Sequence, residues 1–248
     1  MKGQTRLVHR HWSGKWDAPA DAWETFVQRG CRKVDVFTCT ETTSHHPPAP
    51  DGYWHCWLSK ARDASAYLSK SAFPVHPRVS PGVLSNTLYT LGGHHAKDPL
   101  RACVVEAQHV SGVWFGLVVV HFPSAVQALL ARHPNGRKVR FPRVRAYLDG
   151  VRHIHRIKRR LRRDHPGIRV VVVADWNVDW FLAWVRAYLR AAFPAMGAGW
   201  KSKGGEGTHG SRRIDESLYS RGLSTKGSVV EPGMSPFDHR PYVTTYWF

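Results

Sequence analysis

The sequence predicts an α/β protein of the α+β type, in which mixed sheets pack on each other, and three observations lead to this prediction. Strand-like segments are interspersed with about three helical segments along 248 residues. The apolar runs on either side of Ser111-Gly112 predict a hairpin, which requires antiparallel strands. Residues 170–174 are continuously apolar, as in a strand buried on both faces. Mixed pairing of this kind favours packed sheets over a doubly wound parallel sheet.

Short segments with an alternating or continuous apolar pattern predict the strands. They are residues 6–9, 34–39, 84–91, 102–110, 113–121, 168–174, 214–219, 223–230 and 242–247. Residues 53–58 are either a further strand or part of an aromatic-rich loop. The strand at 34–39 delivers Thr40 and Glu41 to its C-terminal end.

Three segments predict helices. Residues 21–27 follow a proline, and residues 141–164 form a basic segment closed by a Pro-Gly pair. Residues 178–193 place Trp180 and Trp184 at helical spacing. The chain has neither an internal repeat nor a linker rich in proline or serine, so we expect a single domain over residues 1–248.

The charge of the chain limits its partners. The formal net charge is +18 and the sequence pI is about 10.3. Such a charge opposes self-association, which predicts a monomer, and attracts polyanions. Nucleic acid is the first candidate partner and an anionic membrane surface is the second.

The cysteines and the apolar runs indicate a compartment. The four cysteines show no CxxC spacing, and the basic N-terminus is not followed by an apolar segment. The longest apolar run, residues 113–120, is too short to cross a bilayer. We therefore expect a cytoplasmic protein without a transmembrane segment. A short, Arg-rich chain would also suit a phage, in which case the host cytoplasm is its location.

Acids follow strand-like segments at three places in the last third of the chain. Residues 170–177 end on Asp175 and Asn177, residues 213–218 contain Asp215, and residues 235–243 contain an Asp-His pair. Hydrolysis of a phosphodiester needs neutralised phosphate charge, a positioned water and a cation or proton for the leaving oxygen. Carboxylates that hold Mg²⁺ or Mn²⁺, together with histidines, supply these functions.

Each of these residues also has a structural interpretation. Asp175 could cap a following helix, and Asp215 could pair with Arg212 or Arg213. His121 and Glu41 could be ordinary polar residues at strand ends. Because the acids, the amide and the Asp-His pair occur together, we favour the catalytic interpretation for Asp175.

In this order, the segments resemble the endonuclease/exonuclease/phosphatase superfamily, which includes deoxyribonuclease I and exonuclease III. Its QE, His-Leu, GDFN, Asp-strand and SDHxPV motifs have counterparts from about residue 34 to residue 243. The counterparts are Thr40-Glu41, His121-Phe122, Ala174-Asp175-Trp176-Asn177, Arg213-Ile214-Asp215 and Phe237-Asp238-His239-Arg240-Pro241-Tyr242-Val243. Thr208 resembles a threonine that often precedes the Asp strand. The resemblance implies a four-layer α/β/β/α sandwich of two packed mixed sheets with outer helices.

The resemblance also implies roles for the metal and the water. Glu41 would ligate Mg²⁺ or Mn²⁺, and Asp238 would lie close to that ion or to a second one. Asp175 would orient or deprotonate the attacking water.

The remaining residues would act on the phosphate. Asn177 would hold the scissile phosphate, and His239 would contact it while Asp215 fixes the tautomer of that histidine. His121 would be a second histidine that contacts phosphate or transfers protons.

The chain departs from the family pattern at its N-terminus. The family carries an asparagine at the end of the first strand, whereas residues 9–13 contain none. His11 and Ser13 are the polar side chains that could take its place, and the sequence does not distinguish between them.

The basic helical segment is a candidate nucleic-acid surface. Its arginines share one face: Arg152, Arg156, Arg159, Arg160 and Arg163. They form either a solvated outer face or contacts to a phosphate backbone, which would be independent of sequence and sensitive to salt.

The sequence therefore predicts a Mg²⁺- or Mn²⁺-dependent nuclease acting on DNA. The alternatives are a phosphatase or phosphodiesterase on small or lipid phosphates, and a nucleic-acid-binding module with a decayed site.

Overall fold

The computed structural model describes residues 5–15, 18–42, 47–57, 64–90, 97–132, 142–199 and 206–248. These residues contain twelve strands. They are β1 (Arg6–Ser13), β2 (Val36–Thr40), β3 (Tyr53–Cys56), β4 (Ala64–Ser69), β5 (Arg78–Thr90), β6 (Lys97–Gln108), β7 (Trp114–His121), β8 (Arg169–Asp175), β9 (Met196–Ala198), β10 (Asp215–Ser220), β11 (Ser224–Val230) and β12 (Tyr242–Trp247). The same residues contain four helices, namely α1 (Ala20–Cys31), α2 (Gln127–Arg132), α3 (Pro142–Asp164) and α4 (Ala183–Ala192).

The strands form two mixed sheets of six. The first sheet has the order β11-β12-β1-β2-β4-β3, and the second has the order β5-β6-β7-β8-β10-β9. One pair in each sheet is parallel, β1 with β2 and β7 with β8, while the other pairs are antiparallel. The predicted fold class is confirmed.

Three apolar clusters separate four layers. Alternate residues of β8 show the arrangement, because Val171 and Val173 join residues of both sheets in the central cluster. Val170 and Val172 point the other way and pack with α3 and α4. On the far side of the first sheet, α1 covers a third cluster that contains Trp12 and Phe37. Burial on both faces explains the continuous valine run of β8.

The inward faces of the two sheets change from apolar to polar along the strands. On β8 the inward residues run from Val171 to Asp175, and on β7 they run from Phe115 to His121. On β1 the inward sequence begins with Leu7 and ends with His11 and Ser13. Side chains alternate between faces with a period of two, so these polar residues all lie at one end of the central layer.

Several boundaries differ from the prediction. The helix predicted over residues 178–193 begins at Ala183, since Asp179 closes a turn by accepting from the backbone N–H of Phe181. Trp180 is buried outside the helix, and Trp184 is 37% exposed. The strand predicted at 84–91 begins earlier, at Arg78.

No helix in the described parts of the chain combines the length and the apolar character needed to cross a membrane. The four cysteines are buried free thiols.

Candidate active site

Strand register places three predicted site residues in one row. In the parallel pairing of β7 with β8, His121 lies opposite Asp175, and in the antiparallel pairing of β8 with β10, Asp175 lies opposite Asp215. Residues 94 positions apart in the chain thus share a row at the polar end of the central layer. This row is the centre of the candidate site.

Glu41 reaches the row from the first sheet. It follows the last residue of β2 with a φ of 54°, a left-handed conformation that turns the chain after the strand. Its Oε1 lies 3.2 Å from Nε2 of His121, which is 3.8 Å from Oδ2 of Asp175. One ligand atom from each of these residues lies within 4.8 Å of the others. The structure therefore brings Glu41, His121 and Asp175 together.

Asp215 and His239 form a buried pair beside Asp175. The Nδ1 atom of His239 donates to Oδ2 of Asp215 over 2.7 Å, and both residues are at least 96% buried. Asp175, Asp215 and His239 form a second group whose ligand atoms lie within 4.8 Å of one another. Asp175 belongs to both groups and so joins the Glu41 side of the site to the His239 side.

The other oxygen of Asp215 is held by the first strand. Ser13 Oγ donates to Asp215 Oδ1 over 2.5 Å and lies 2.6 Å from Oγ1 of Thr40. Because a serine hydroxyl has one hydrogen, Ser13 accepts from Thr40 while it donates to the carboxylate. Nε2 of His11 lies 3.5 Å from the same oxygen. His11 and Ser13 thus occupy the region in which the sequence lacks the expected asparagine.

His11 is fixed from behind by a further buried polar group. The hydroxyl of Thr38 lies 3.0 Å from Nδ1 of His11 and 2.8 Å from Nε2 of His9. All three residues are almost completely buried. His9, His11 and Ser13 occupy alternate positions of β1, and this is the signal that could have identified His11 and Ser13, since polar residues at every second position of a buried strand indicate a polar face.

Backbone contacts fix the orientation of the acid-bearing segments. Thr208 Oγ1 accepts from the backbone N–H groups of Ile214 and Asp215 at 3.2 and 3.1 Å. Asn177 adopts a φ of 51°, and its backbone N–H donates to Oδ1 of Asp175 over 2.9 Å. Its side-chain amide donates to the carbonyl of Phe122. Thr208 and Asn177 therefore position the two aspartates.

The two aspartates have opposite pKa shifts. Burial and the nearby charge of Asp215 raise the pKa of Asp175 to about 7. Burial acts in the same direction on Asp215, but the charge of His239 and bonds from His11 and His239 outweigh it and lower its pKa well below the usual value. Asp215 is therefore the ionised member of the pair at neutral pH.

The buried histidines of the site also have pKa shifts in opposite directions. Burial acts to lower the pKa of His239, yet the charge and hydrogen bond of Asp215 outweigh it and raise the pKa to about 10. Burial lowers the pKa of His11 and lowers that of His9 to about 3. The site thus contains a cationic His239 beside neutral His9 and His11.

The donor set fits a hard divalent cation. The described residues provide no hydrogen-bond partner for Oδ2 of Asp175, although this atom is buried. Glu41 presents a carboxylate that is 21% exposed, and its pKa is lowered because the bond and charge of His121, together with the charge of His239, outweigh burial. Carboxylate oxygens of this kind are the ligands that Mg²⁺ and Mn²⁺ prefer.

Asp238, the other predicted metal ligand, lies in a different group. Its side chain is 51% exposed, and its Oδ2 is 3.6 Å from Nε2 of His209. His209, Asp238 and His239 have ligand atoms within 4.8 Å of one another. The structure does not bring Asp238 into the group that contains Glu41, and its partner His209 belongs to none of the motifs recognised in the sequence.

The predicted arginine face lies on α3. Arg152, Arg156, Arg159 and Arg163 are exposed, whereas Arg160 contacts the buried Glu106 at 3.3 Å. A side chain at position 150 would meet Phe122, which follows His121 in the chain, so this part of α3 packs on the outer face of the second sheet behind the site. With a rise of 1.5 Å per residue, position 163 is about 20 Å further along the axis. The arginine row therefore leads away from the site.

Solved structures share this architecture. An endonuclease/exonuclease/phosphatase family protein from Bacteroides thetaiotaomicron has a TM-score of 0.71 at 14% identity, with 99% of this chain and 96% of that chain covered. A mannosyl-6-phosphatase from the same species has a TM-score of 0.67 at 14% identity, with coverage of 98% and 100%. The chain has the endonuclease/exonuclease/phosphatase fold.

A third structure extends this likeness within the fold. The catalytic domain of human Nocturnin, solved with bound sulfate, has a TM-score of 0.63 at 13% identity, with coverage of 99% and 98%. Comparisons of sequence alone find no matching family model and no matching curated protein. The resemblance predicted from the motifs is confirmed at the level of the fold.

Proposed function

We propose that this endonuclease/exonuclease/phosphatase-fold protein is a divalent-metal-dependent phosphoester hydrolase, and more specifically a nuclease that cleaves DNA. The observation that carries the proposal is the position of Asp175. It is buried between the Glu41–His121 group and the Asp215–His239 pair, and its Oδ2 lies 3.8 Å from Nε2 of His121 with no hydrogen-bond partner among the described residues. A carboxyl group with a pKa near neutrality at such a junction suits a general base.

In the proposed reaction, Asp175 orients the attacking water and takes its proton. Its Oδ1 accepts from the backbone of Asn177, which leaves Oδ2 for the water. Mg²⁺ or Mn²⁺ bound at Glu41 would neutralise phosphate charge and lower the pKa of bound water. His121, 3.2 Å from Glu41, would hold that carboxylate in place and contact the phosphate.

His239 stabilises the charge that develops on the phosphate oxygens. Asp215 keeps His239 protonated and fixes its Nδ1 as a donor, so that Nε2–H is directed at the substrate. Asn177 uses one of its two amide hydrogens on Phe122 and retains the other for the scissile phosphate. The preorganised donors stabilise the transition state because they need no rearrangement during the reaction.

The charge of the chain supports nucleic acid as the substrate. A net charge of +18 and the exposed arginines of α3 favour a polymer of phosphates. DNA remains the proposed substrate on this ground.

The first experiment incubates the protein with supercoiled plasmid and Mg²⁺ or Mn²⁺, with EDTA as one control. Asp175→Asn removes the proposed base, and Asp164→Asn is the matched control because it changes an exposed acid on α3 in the same way. We expect nicking that EDTA and Asp175→Asn abolish and that Asp164→Asn leaves intact. Nicking that persists in Asp175→Asn would remove this residue from the mechanism.

The likeness to a mannosyl-6-phosphatase favours a second candidate function. The same site would then hydrolyse small or lipid phosphates. Parallel assays on p-nitrophenyl phosphate and bis(p-nitrophenyl) phosphate separate monoesterase from diesterase activity. Plasmid that is shifted on a gel but not cleaved, with no turnover of either ester, would favour a binding module with a decayed site.

A further inference from the structure

A cluster of two histidines and one aspartate lies at the edge of the candidate site. His209 and Arg212 exchange both backbone hydrogen bonds, at 3.1 and 3.0 Å, which makes a tight turn before β10. The same turn pairs His209 with His239 in an isolated β-bridge, and the two imidazole centroids are 4.8 Å apart. The backbone therefore holds the two histidines side by side, with Asp238 next to them.

The spacing of the ligand atoms fits a tetrahedral metal. Zn²⁺ binds nitrogen and oxygen at about 2.0–2.1 Å, which corresponds to about 3.3 Å between ligand atoms. Nε2 of His209 is 3.6 Å from Oδ2 of Asp238, and His239 completes a set within 4.8 Å. His209 and Asp238 are partly exposed, with side-chain exposures of 32% and 51%, so small rotations can close the remaining gap.

His239 has the orientation that a metal-binding histidine requires. Its Nδ1 is bonded to Asp215, so its Nε2 is the ring nitrogen directed away from that carboxylate, and a metal that binds there displaces the Nε2 proton to solvent. A carboxylate bonded to the second ring nitrogen is the usual support of a zinc-ligating histidine. Two imidazoles and one carboxylate also favour a borderline metal over Mg²⁺, which prefers oxygen ligands.

We propose that His209, Asp238 and His239 form a binding site for Zn²⁺ or a similar borderline cation, and that occupation of this site inhibits the enzyme. The binding part stands on the cluster alone. The inhibition rests on the proposed function, because a metal on Nε2 of His239 removes the group that would contact the phosphate.

Arg212 opposes this binding in the present conformation. Its Nη2 donates to Nδ1 of His209 over 3.0 Å. When Nε2 of a neutral imidazole binds a metal, Nδ1 carries the proton and cannot accept a hydrogen bond. Arg212 must therefore turn away, which its exposed position allows. Its removal should consequently strengthen metal binding.

The test measures Zn²⁺ binding by calorimetry and Co²⁺ binding by visible absorption, both in excess Mg²⁺. We expect His209→Gln to weaken the site by about tenfold or more and to remove the tetrahedral Co²⁺ absorption. Arg212→Gln should tighten binding instead. His76→Gln, an exposed histidine of the β4–β5 loop, is the matched control and should bind as the wild type does. Equal Zn²⁺ affinity in the wild type and His209→Gln would overturn the site.

A second measurement tests inhibition on the plasmid substrate. Zn²⁺ should inhibit Mg²⁺-dependent nicking by the wild type at concentrations that leave His209→Gln active. If Zn²⁺ binds at this cluster and nicking continues, the inhibitory part is wrong. If neither Mg²⁺ nor Mn²⁺ supports nicking, the nuclease proposal fails. The binding experiment still shows whether the Zn²⁺ site exists.

Discussion

Asp175 and Asp215 lie opposite each other on β8 and β10, and their carboxyl groups have opposite pKa shifts. Burial acts to raise both pKa values, but at Asp215 the charge of His239 and the bonds from His11 and His239 outweigh it. Ser13 and His239 donate to the two oxygens of Asp215, whereas the described residues leave Oδ2 of Asp175 without a donor. Two carboxyl groups whose pKa values are separated in this way are suited to different tasks, one as a charge and the other as a base.

The replacement Asp175→Asn should strongly reduce the rate of hydrolysis and stabilise the metal-free protein. We expect activity to fall by roughly a hundredfold to ten-thousandfold, the usual contribution of a general base. A raised carboxyl pKa means that the folded protein binds more protons than the unfolded chain between about pH 4 and pH 7, so wild-type stability falls as pH rises through that window.

Chemical denaturation in EDTA checks the stability part. Asparagine cannot ionise, so the variant should lose this decline and gain roughly 1–3 kcal/mol at pH 7. A variant that is less stable than the wild type at pH 7 would contradict the assigned burial cost of Asp175.

The raised pKa of His239 predicts a separate loss of stability in alkali. The stabilisation by protonated His239 is complete below the unfolded pKa near 6.5 and is lost as pH rises through about 10. Thermal melts in EDTA from pH 6.5 to pH 10 should show a falling midpoint for the wild type. His239→Gln should have a lower midpoint and a flatter profile, and His76→Gln should follow the wild type.

Ser13 acts on the reaction through Asp215. Ser13→Ala removes the donor at Oδ1 and leaves the Thr40 hydroxyl without its partner. We expect kcat to fall by about tenfold with little change in KM, since Asp215 without this donor holds His239 less firmly and does not touch the substrate. The pKa of His239, followed by NMR, should also change. Ser71→Ala, at an exposed serine of the β4–β5 loop, is the control.

Exposed arginines of α3 should set the salt dependence of DNA binding. Neutralising one phosphate-contacting cation lowers the slope of log K against log salt by about 1. The double replacement of Arg156 and Arg159 by Gln should therefore lower the slope by about 2 without changing kcat, because the row leads away from the site. Filter binding at several salt concentrations measures this slope. An unchanged slope would mean that these two arginines face solvent and do not contact DNA phosphates.

The local pattern of apolar and turn residues was sufficient to predict most of the strands and helices. The valine run of β8 determines that this segment is a strand, and the turn at residues 111–112 determines the pairing of β6 with β7, because burial and turn chemistry act between near neighbours in the chain. The start of α4 was missed because Asp179 forms a side-chain turn that a hydrophobic period does not indicate.

The sequence by itself determined most strand types and the expectation of mixed pairing, because apolar periodicity and turn chemistry depend on near neighbours in the chain, and its motifs supplied the acids of the candidate site. Only the tertiary structure decided which of these side chains lie next to each other in the candidate site. Register across β7, β8 and β10 aligned His121, Asp175 and Asp215, and the end of β1 brought Ser13 to Asp215 from 202 positions away. The same packing placed Asp238 with His209 and not with Glu41, since contacts between distant segments depend on strand register and on chain direction, which no local pattern encodes.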